Sequence, residues 1–338
     1  TTTGSIRVFT DSLHVWPAPS IIPRTGSRAR TVSFGPNGHV AYIDENGKAL
    51  VLARADNLRG STVGHTGKGP GEFESLAQVA SCGSRGFVVS DIRTNRMTFY
   101  DWGGGLDHSI TAGFSIAGLD CSGDGIVAVV AVPGDLPKFE SRNADISTSI
   151  HYWSWDRRIE NRSLDGVDAG EYRILGSWLR VAAEGERLVY GSGRSATINA
   201  HDVMSGQDQD IPVGIEGRPT TDSAFMGAIE AQVSGLAREK DRQHWRQEFA
   251  DEPRPETMPA YFQVESANGR YLWVVTSPPG LESTSVDVID MNEGSRIGTI
   301  RLHGFQDLIA VGEDRFATWM VDHATDEPRL LIWSWKPE

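Results

Sequence analysis

TVSFGPNGHVAYID (31–44) runs from one short apolar segment through a Pro-Asn-Gly turn into a second apolar segment. Alternating apolar residues on either side of such a turn are the signature of a β-hairpin. Five more stretches follow the same grammar: AQVASCGSRGFVVSD (77–91), SIAGLDCSGDGIVAVV (115–130), WLRVAAEGERLVYGS (178–192), YFQVESANGRYLWVVT (261–276) and DLIAVGEDRFATWMVD (307–322). Each places Gly, Asn or Asp where the chain needs positive φ or a side chain that closes the turn. A repeat of roughly 40 residues holding several short strands is what one propeller blade looks like in sequence. The expected fold is therefore an all-β, six-bladed β-propeller.

A second series confirms the phase. ALVLARA (49–55), MTFYDWG (97–103), IHYWSWD (150–156), TINAHDV (197–203), VDVIDMN (286–292) and LLIWSWK (330–336) are the expected outer strands. YWSWD and IWSWK nearly duplicate each other at matching places in the third and sixth units. Only the interval between 197 and 286 is anomalous, nearly twice the others, and it holds the one clearly helical segment (218–256). Six blades with a helical insertion between blades 4 and 5 follow, as one domain over 1–338. The insert spans 219–256, and residues 5–16 supply a ring-closing strand that removes an exposed edge.

Within the insert, Thr221 or Asp222 caps the start, and Pro253 and Pro255 end it. Phe225, Ile229, Val233, Leu236 and Ala237 recur at helical spacing, as do Trp245 and Phe249. Gly227 and Gly235 leave room for two shorter helices. The third unit carries a long polar loop (133–149), of a length that points to a contact surface. PAPSIIPRTGSRAR (17–30) is a Pro-rich crossing, and its basic end is read as a solvated loop.

Composition narrows the function. The chain has 338 residues, 39% of them hydrophobic, with 37 Gly, 10 Trp and 12 Phe, enough for stacked sheets with aromatics between them. A formal charge of −13 argues against a nucleic-acid partner, which needs a basic footprint. No apolar run of about 18 residues is present, so no transmembrane segment of its own is expected. The start at Thr1, without Met, is read as removal of a secretory leader, placing the protein outside the cytoplasm, periplasmic or secreted. Cys82 and Cys121 occupy equivalent places before the turns of adjacent blades and are a disulfide candidate, the alternative being two buried thiols. Their spacing suits no zinc site.

GHTGKGPGEFESLAQVA (64–80) followed by SDIRTNRMTFYD (90–101) resembles the NHL-like six-bladed propellers, whose repeats show a GxGPGxF element and then an Asn-Arg strand. ETMPAYFQVESANGRYLWVV (256–275) is similar to the Leu-Pro-Ala, Asp-Gly-Arg, Leu-Trp-Val pattern of bacterial exported six-bladed propellers, which carry a helical insert just before it. Met258 and Asn268 depart mildly from that pattern. The resemblance covers about half the chain closely and implies fold and export more than a chemistry.

No recognisable catalytic set accompanies these motifs. Gly64, Gly67, Lys68, Gly69 and Gly71 fail as a phosphate loop, because Thr62 stands at the first glycine place and Gly69 where Ser or Thr is needed. No G-x-S-x-G elbow exists; Ser192 and Ser195 lie in a strand turn. The nine histidines are scattered singly, without metal-ligand spacing. Asp44, Asp91, Asp120 and Glu265 stand at comparable inner-blade positions and could converge on calcium, as acids do in propeller lactonases. An acidic chain would show such a rim in any case, so no cofactor is expected, with calcium as the one exception.

The leading expectation is a non-enzymatic module that docks on a protein partner, such as a peripheral subunit on the outer face of a respiratory or photosynthetic membrane complex. Its partner-binding candidates are Trp245, Arg242 and Arg246 on the insert and Phe139 on the long loop, with Tyr172 and Trp178 as further aromatics. The alternative is a calcium-dependent lactone or ester hydrolase, or a small-ligand binder, using the central channel.

Overall fold

The computed structural model describes residues 5–8, 13–15, 20–22, 31–43, 49–55, 57–132, 148–156, 161–168, 175, 179–213, 216–234, 239–267, 269–278, 281–303, 306–322 and 327–337. Six antiparallel sheets stand around a central channel, and the fold is a six-bladed β-propeller with a helical insertion between blades 4 and 5. The first strands of blades 1 to 6 are Val32–Phe34, Leu76–Ser81, Ser115–Cys121, Arg180–Glu184, Gln263–Ala267 and Asp307–Val311. Each pairs with the next strand through the Gly-, Asn- or Asp-bearing turn that the sequence displays.

One expectation is corrected here. The series that begins ALVLARA and ends LLIWSWK supplies third strands, not outer ones. In blades 1 to 5 a more polar fourth strand lies outside it, such as Leu106–Thr111 in blade 2 and Asp208–Pro212 in blade 4. These edges alternate in and out of water, so their apolar signal is half as dense. The last blade draws its outer cover from the N-terminus: Leu13–Val15 and Ser20–Ile22 both pair with its third strand, Glu327–Pro337. Ser5–Val8 adds a fifth strand to blade 5 by pairing with Ser295–His303.

The core is divided among the blade interfaces, and period-2 alternation assigns each residue to one of them. In FVVSD of blade 2, Phe87 and Val89 pack toward blade 1 with Leu50, Leu52 and Val63, while Val88 packs toward blade 3 with Ile116 and Val127. Both faces are dry, which is why the second strands read as nearly unbroken apolar runs. Blades 6 and 1 are joined by Val32 and Val40 against Ala310, Leu330 and Ile332. Blades 5 and 6 share the most aromatic interface, where Trp273 meets Phe316, Trp333 and Trp335.

The duplicated Trp motifs do equivalent work. Trp153 and Trp155 pack toward blade 2, and Trp333 and Trp335 pack toward blade 5. Trp335 donates its indole N–H to Gly312 O (3.1 Å) in its own blade's first turn, and Trp102 of blade 2 does the same to Gly83 O (2.8 Å). Recurrent aspartates close the outer turns: Asp101, Asp202 and Asp290 each accept two backbone N–H groups just downstream.

The glycine-rich crossing between blades 1 and 2 folds around one carboxylate. Glu72 accepts from Gly69 N (2.7 Å) and lies 2.8 Å from His65 Nε2, while Arg96 reaches over to Lys68 O and Glu72 O. Gly64 has φ 71°, and a Cβ there would sit 2.4 Å from the buried Phe73 ring, so the crossing requires glycine.

The insert is two helices, α1 (Asp222–Ser234) and α2 (Glu239–Ala250). Thr221 caps α1, its hydroxyl accepting from Ala224 N (3.2 Å). Phe225, Ala228, Ile229 and Val233 of α1 meet Phe249 of α2 and Leu175 from the crossing into blade 4, and Met258 and Phe262 at the entry to blade 5 pack against the same cluster. A narrow stem holds it: Pro219 bridges Thr257, Thr220 N donates to Glu256 O, and Met258 N donates to Arg218 O.

Candidate functional site

The first strand of each blade has one edge paired and the other open to the channel, so its N–H and C=O groups need partners from elsewhere. Neighbouring blades supply them with side chains. Thr31 Oγ1 donates to Ala77 O, Gln78 Nε2 to Ala117 O, and Ser266 Oγ to Ala183 O. Asp120 Oδ2 accepts from Ala183 N at 2.8 Å. These ties join like positions of the first strands of blades 1 to 5, which therefore run in the same direction, with their starts at the insert side and their turns at the far mouth.

The channel is a cavity of about 1830 Å³ lined by all six first strands. Glu230 and Ala231 of α1, with Glu239, Arg242 and Arg246 of α2, also line it, so the insert stands over one mouth. Arg246 bridges the two helices, pairing with Glu230 (2.7 and 3.0 Å) and with Glu239 (3.5 Å); Arg242 pairs with Glu239 at 2.7 Å.

Three carboxylates from three successive blades occupy the channel wall. Asp120 belongs to blade 3, Glu184 to blade 4 and Glu265 to blade 5. Each is partly buried on the cavity wall, and loss of hydration pushes its proton affinity up. Asp120 is raised to about 8, by desolvation first and by the negative charges of Glu265 and Glu184 next. Glu265 is raised to about 7 by desolvation, against a hydrogen bond from Gln263 (2.8 Å) and the charge of Arg180. Glu184 is also raised by desolvation, countered by Ser266 and the backbone of Gly269. Arg180 stands at the insert end of this wall, its Nε donating to Phe262 O at 3.2 Å.

The raised carboxyls give stability a sign with pH. Asp120 ordinarily titrates at 3.8 and here at about 8, so between those values the folded chain holds a proton that the unfolded chain releases. Stability from this group is present below about pH 4 and is lost as pH rises toward 8; Glu265 adds to the loss between 4.5 and about 7. We expect the melting temperature to fall from pH 5 to pH 8.5, with a visibly flatter profile in Asp120→Asn. Parallel profiles in calorimetry would remove Asp120 as the cause.

The structure separates the four acids that the sequence groups together. Asp120 and Glu265 share the channel. Asp91 lies at the end of the second strand of blade 2, where its carboxylate accepts from the N–H groups of Glu74, Ser75, Arg93 and Thr94. Asp44 lies outside the described residues. Among the described residues no three His, Cys, Asp or Glu side chains stand where they could hold a metal ion. Glu184 and Arg180 escape a reading of the sequence, although their places at the two ends of the first strand of the fourth hairpin mark them as inner-strand residues.

Of the docking candidates, Trp245 is partly buried, stacked 5.6 Å from Phe249 and packed on the insert core. Arg242 and Arg246 line the channel mouth. Phe139, Tyr172 and Trp178 lie outside the described residues. Cys82 and Cys121 are joined in a disulfide with Cα atoms 5.0 Å apart, tying the first turn of blade 2 to that of blade 3. Ser192, which invites a nucleophile reading, donates to Asp168 at 2.9 Å in a strand turn.

No family model and no curated protein matches this chain. Among solved structures it is similar to a putative exported protein from Bacteroides fragilis, over 100% of this chain and 98% of that one, with a TM-score of 0.55 at 12% identity. It is equally similar to a member of the DUF4221 family from Bacteroides vulgatus, over 99% of each chain, with a TM-score of 0.55 at 12% identity. At that identity the likeness shows a shared fold. Among the described residues no helix is long and apolar enough to cross a membrane.

Proposed function

We propose that this chain is an exported six-bladed propeller that works as a non-enzymatic docking module, with its helical insert as the presented element. The observation that carries the reading is the build of the insert. Two helices share one apolar core, anchored on Leu175 and Phe262 of the propeller, are held by a narrow stem at the crossing between blades 4 and 5, and keep Lys240, Gln243, His244 and Gln247 exposed along α2. An element already rigid before it meets a partner loses little conformational freedom on docking.

The word "exported" in the name of one structural neighbour supports placement outside the cytoplasm, as does the resemblance to exported bacterial propellers. The glycine-rich crossing held by Glu72 supports an NHL-like repeat. A peripheral place on a membrane complex, respiratory or photosynthetic, fits a chain that would reach the membrane through a partner.

A photo-crosslinking residue at Lys240 tests the docking role in the protein purified from its own membranes by gentle solubilisation. The expected outcome is one cross-linked product of fixed stoichiometry within a large particle. A monomer of the sequence mass, with no product from Lys240, would end this reading.

A further inference from the structure

We propose that the helical insert is a hinged lid over the central channel, swinging on its stem between the closed arrangement of the structure and one that uncovers the insert mouth. Glu230 and Ala231 of α1, with Glu239, Arg242 and Arg246 of α2, line the same cavity as the first strands. Both helices therefore roof that mouth. The lid acts without a partner, so it stands apart from the docking role.

The insert is built to move as one body. Arg246 of α2 pairs with Glu230 of α1 at 2.7 Å, and Trp245 and Phe249 of α2 pack with Phe225, Ile229 and Val233 of α1. A charged clasp on the channel side and an apolar seam beside it hold the two helices together.

Its connection to the ring is slender. Residues 218–220 and 256–258 run antiparallel, tied by Thr220 N to Glu256 O (3.0 Å), by Met258 N to Arg218 O (2.8 Å) and by the Pro219–Thr257 bridge. Arg218 pins the root, its Nη2 donating to Pro259 O at 3.0 Å. Gly217 stands just before the stem with φ 68°, exposed, where a Cβ would meet nothing within 4 Å. A glycine in open space changes its dihedrals without steric conflict, and hinges turn on a few such residues at element ends.

Two opposing effects meet at the root. Apolar contact holds the lid down, because Leu175 and Phe262 of the propeller pack with the insert core. Against it, Thr220 Oγ1 and Arg218 Nε are buried in the stem without a hydrogen-bond partner among the described residues. Thr220 as a whole is only 5% exposed. A buried polar atom left unpaired has given up its hydration without a replacement, so closure destabilises the stem. Swinging the insert off the ring returns water to both atoms. Contacts that favour closure and unpaired groups that oppose it give the element two accessible positions, as a lid requires.

Double electron–electron resonance on the full chain tests the hinge, with spin labels on Gln243→Cys and Arg93→Cys. Gln243 is exposed on α2, and Arg93 is exposed in the turn between the second and third strands of blade 2, on the insert side of the ring. Both native cysteines are held in the disulfide, so the labels attach to the introduced ones. The expected result is two distances, the longer from the open lid. Thr220→Val keeps the side-chain shape and deletes the unpaired hydroxyl, so it should cut the ratio of long to short distance by about fivefold or more. Melting curves check that this variant keeps the ring folded. A control pair on the propeller, Arg93→Cys with Met204→Cys, should give one distance in both backgrounds. A single distance between α2 and blade 2 would make the insert a fixed roof and overturn the proposal. So would two distances whose ratio Thr220→Val leaves unchanged, or a control pair that splits in the same way.

Discussion

Trp273→Ala should destabilise the propeller by about 3–5 kcal/mol, the range for truncating a fully buried large aromatic. Trp273 is inaccessible to water on the second strand of blade 5, with its ring 5.0 Å from Phe316 and 4.9 Å from Trp335, both of blade 6. No smaller neighbour can fill the space, because Val286, Ile300 and Leu302 are themselves locked into the same interface. Chemical denaturation followed by tryptophan-independent circular dichroism would measure the loss. Trp273→Phe sharpens the test. The indole N–H has no hydrogen-bond partner among the described residues, so replacing it with a phenyl ring removes an unsatisfied buried donor while keeping most of the packing. Its cost should be about 1 kcal/mol, typical of hydrophobic swaps of similar volume. Equal costs for the two variants would show that the interface does not depend on the volume of this side chain.

Opening the Cys82–Cys121 link should cost about 4 kcal/mol in the chain-entropy account, because the bond closes a loop with a sequence separation of 39. Both sulfurs lie in the apolar interface between blades 2 and 3, beside Val88, Phe99, Ile116 and Val127. Cys82 is wholly buried and Cys121 nearly so, which keeps reductants away from the native protein. The double variant Cys82→Ala/Cys121→Ala is therefore the better probe, compared with the oxidised chain in the same denaturant series. It should unfold at clearly lower denaturant and retain the same circular dichroism when folded. Thiol titration of the unfolded wild type should find no free sulfhydryl. Two free thiols per chain would remove the bond and the expected difference with it.

The two effects fall on different interfaces. A ring of sheets has no single centre, so each interface contributes its own share and a weakened one opens the circle. The N-terminal strands on blades 5 and 6 matter for the same reason. They cover outer edges that would otherwise offer unpaired backbone to another chain.

Particular residues show how far the sequence could be read. Asp91 and Asp120 look alike on paper, each at the end of a hairpin strand. Asp91 is consumed by its own turn and by the crossing before it, whereas Asp120 reaches across to blade 4 and faces the channel. Trp245 reads as an exposed anchor because the polar residues around it dominate α2. In the structure it folds back on Phe249, since the apolar stripe of a short helix pair has little else to cover it. The third strands read as outer strands because the true edges, half solvated, carry too few apolar residues to announce themselves.

Blade number, hairpin positions and the site of the insertion were determined by the sequence alone. Turn chemistry and period-2 alternation act between residues a few places apart, and nothing distant can rewrite them. The tertiary structure alone decided which acids share the channel, that Arg242 and Arg246 stand at its mouth, and that Cys82 meets Cys121. Those encounters join segments tens to hundreds of residues apart. They exist only once six blades have closed into a ring of fixed radius, which brings neighbouring first strands within hydrogen-bonding reach and turns their enclosed faces into one cavity.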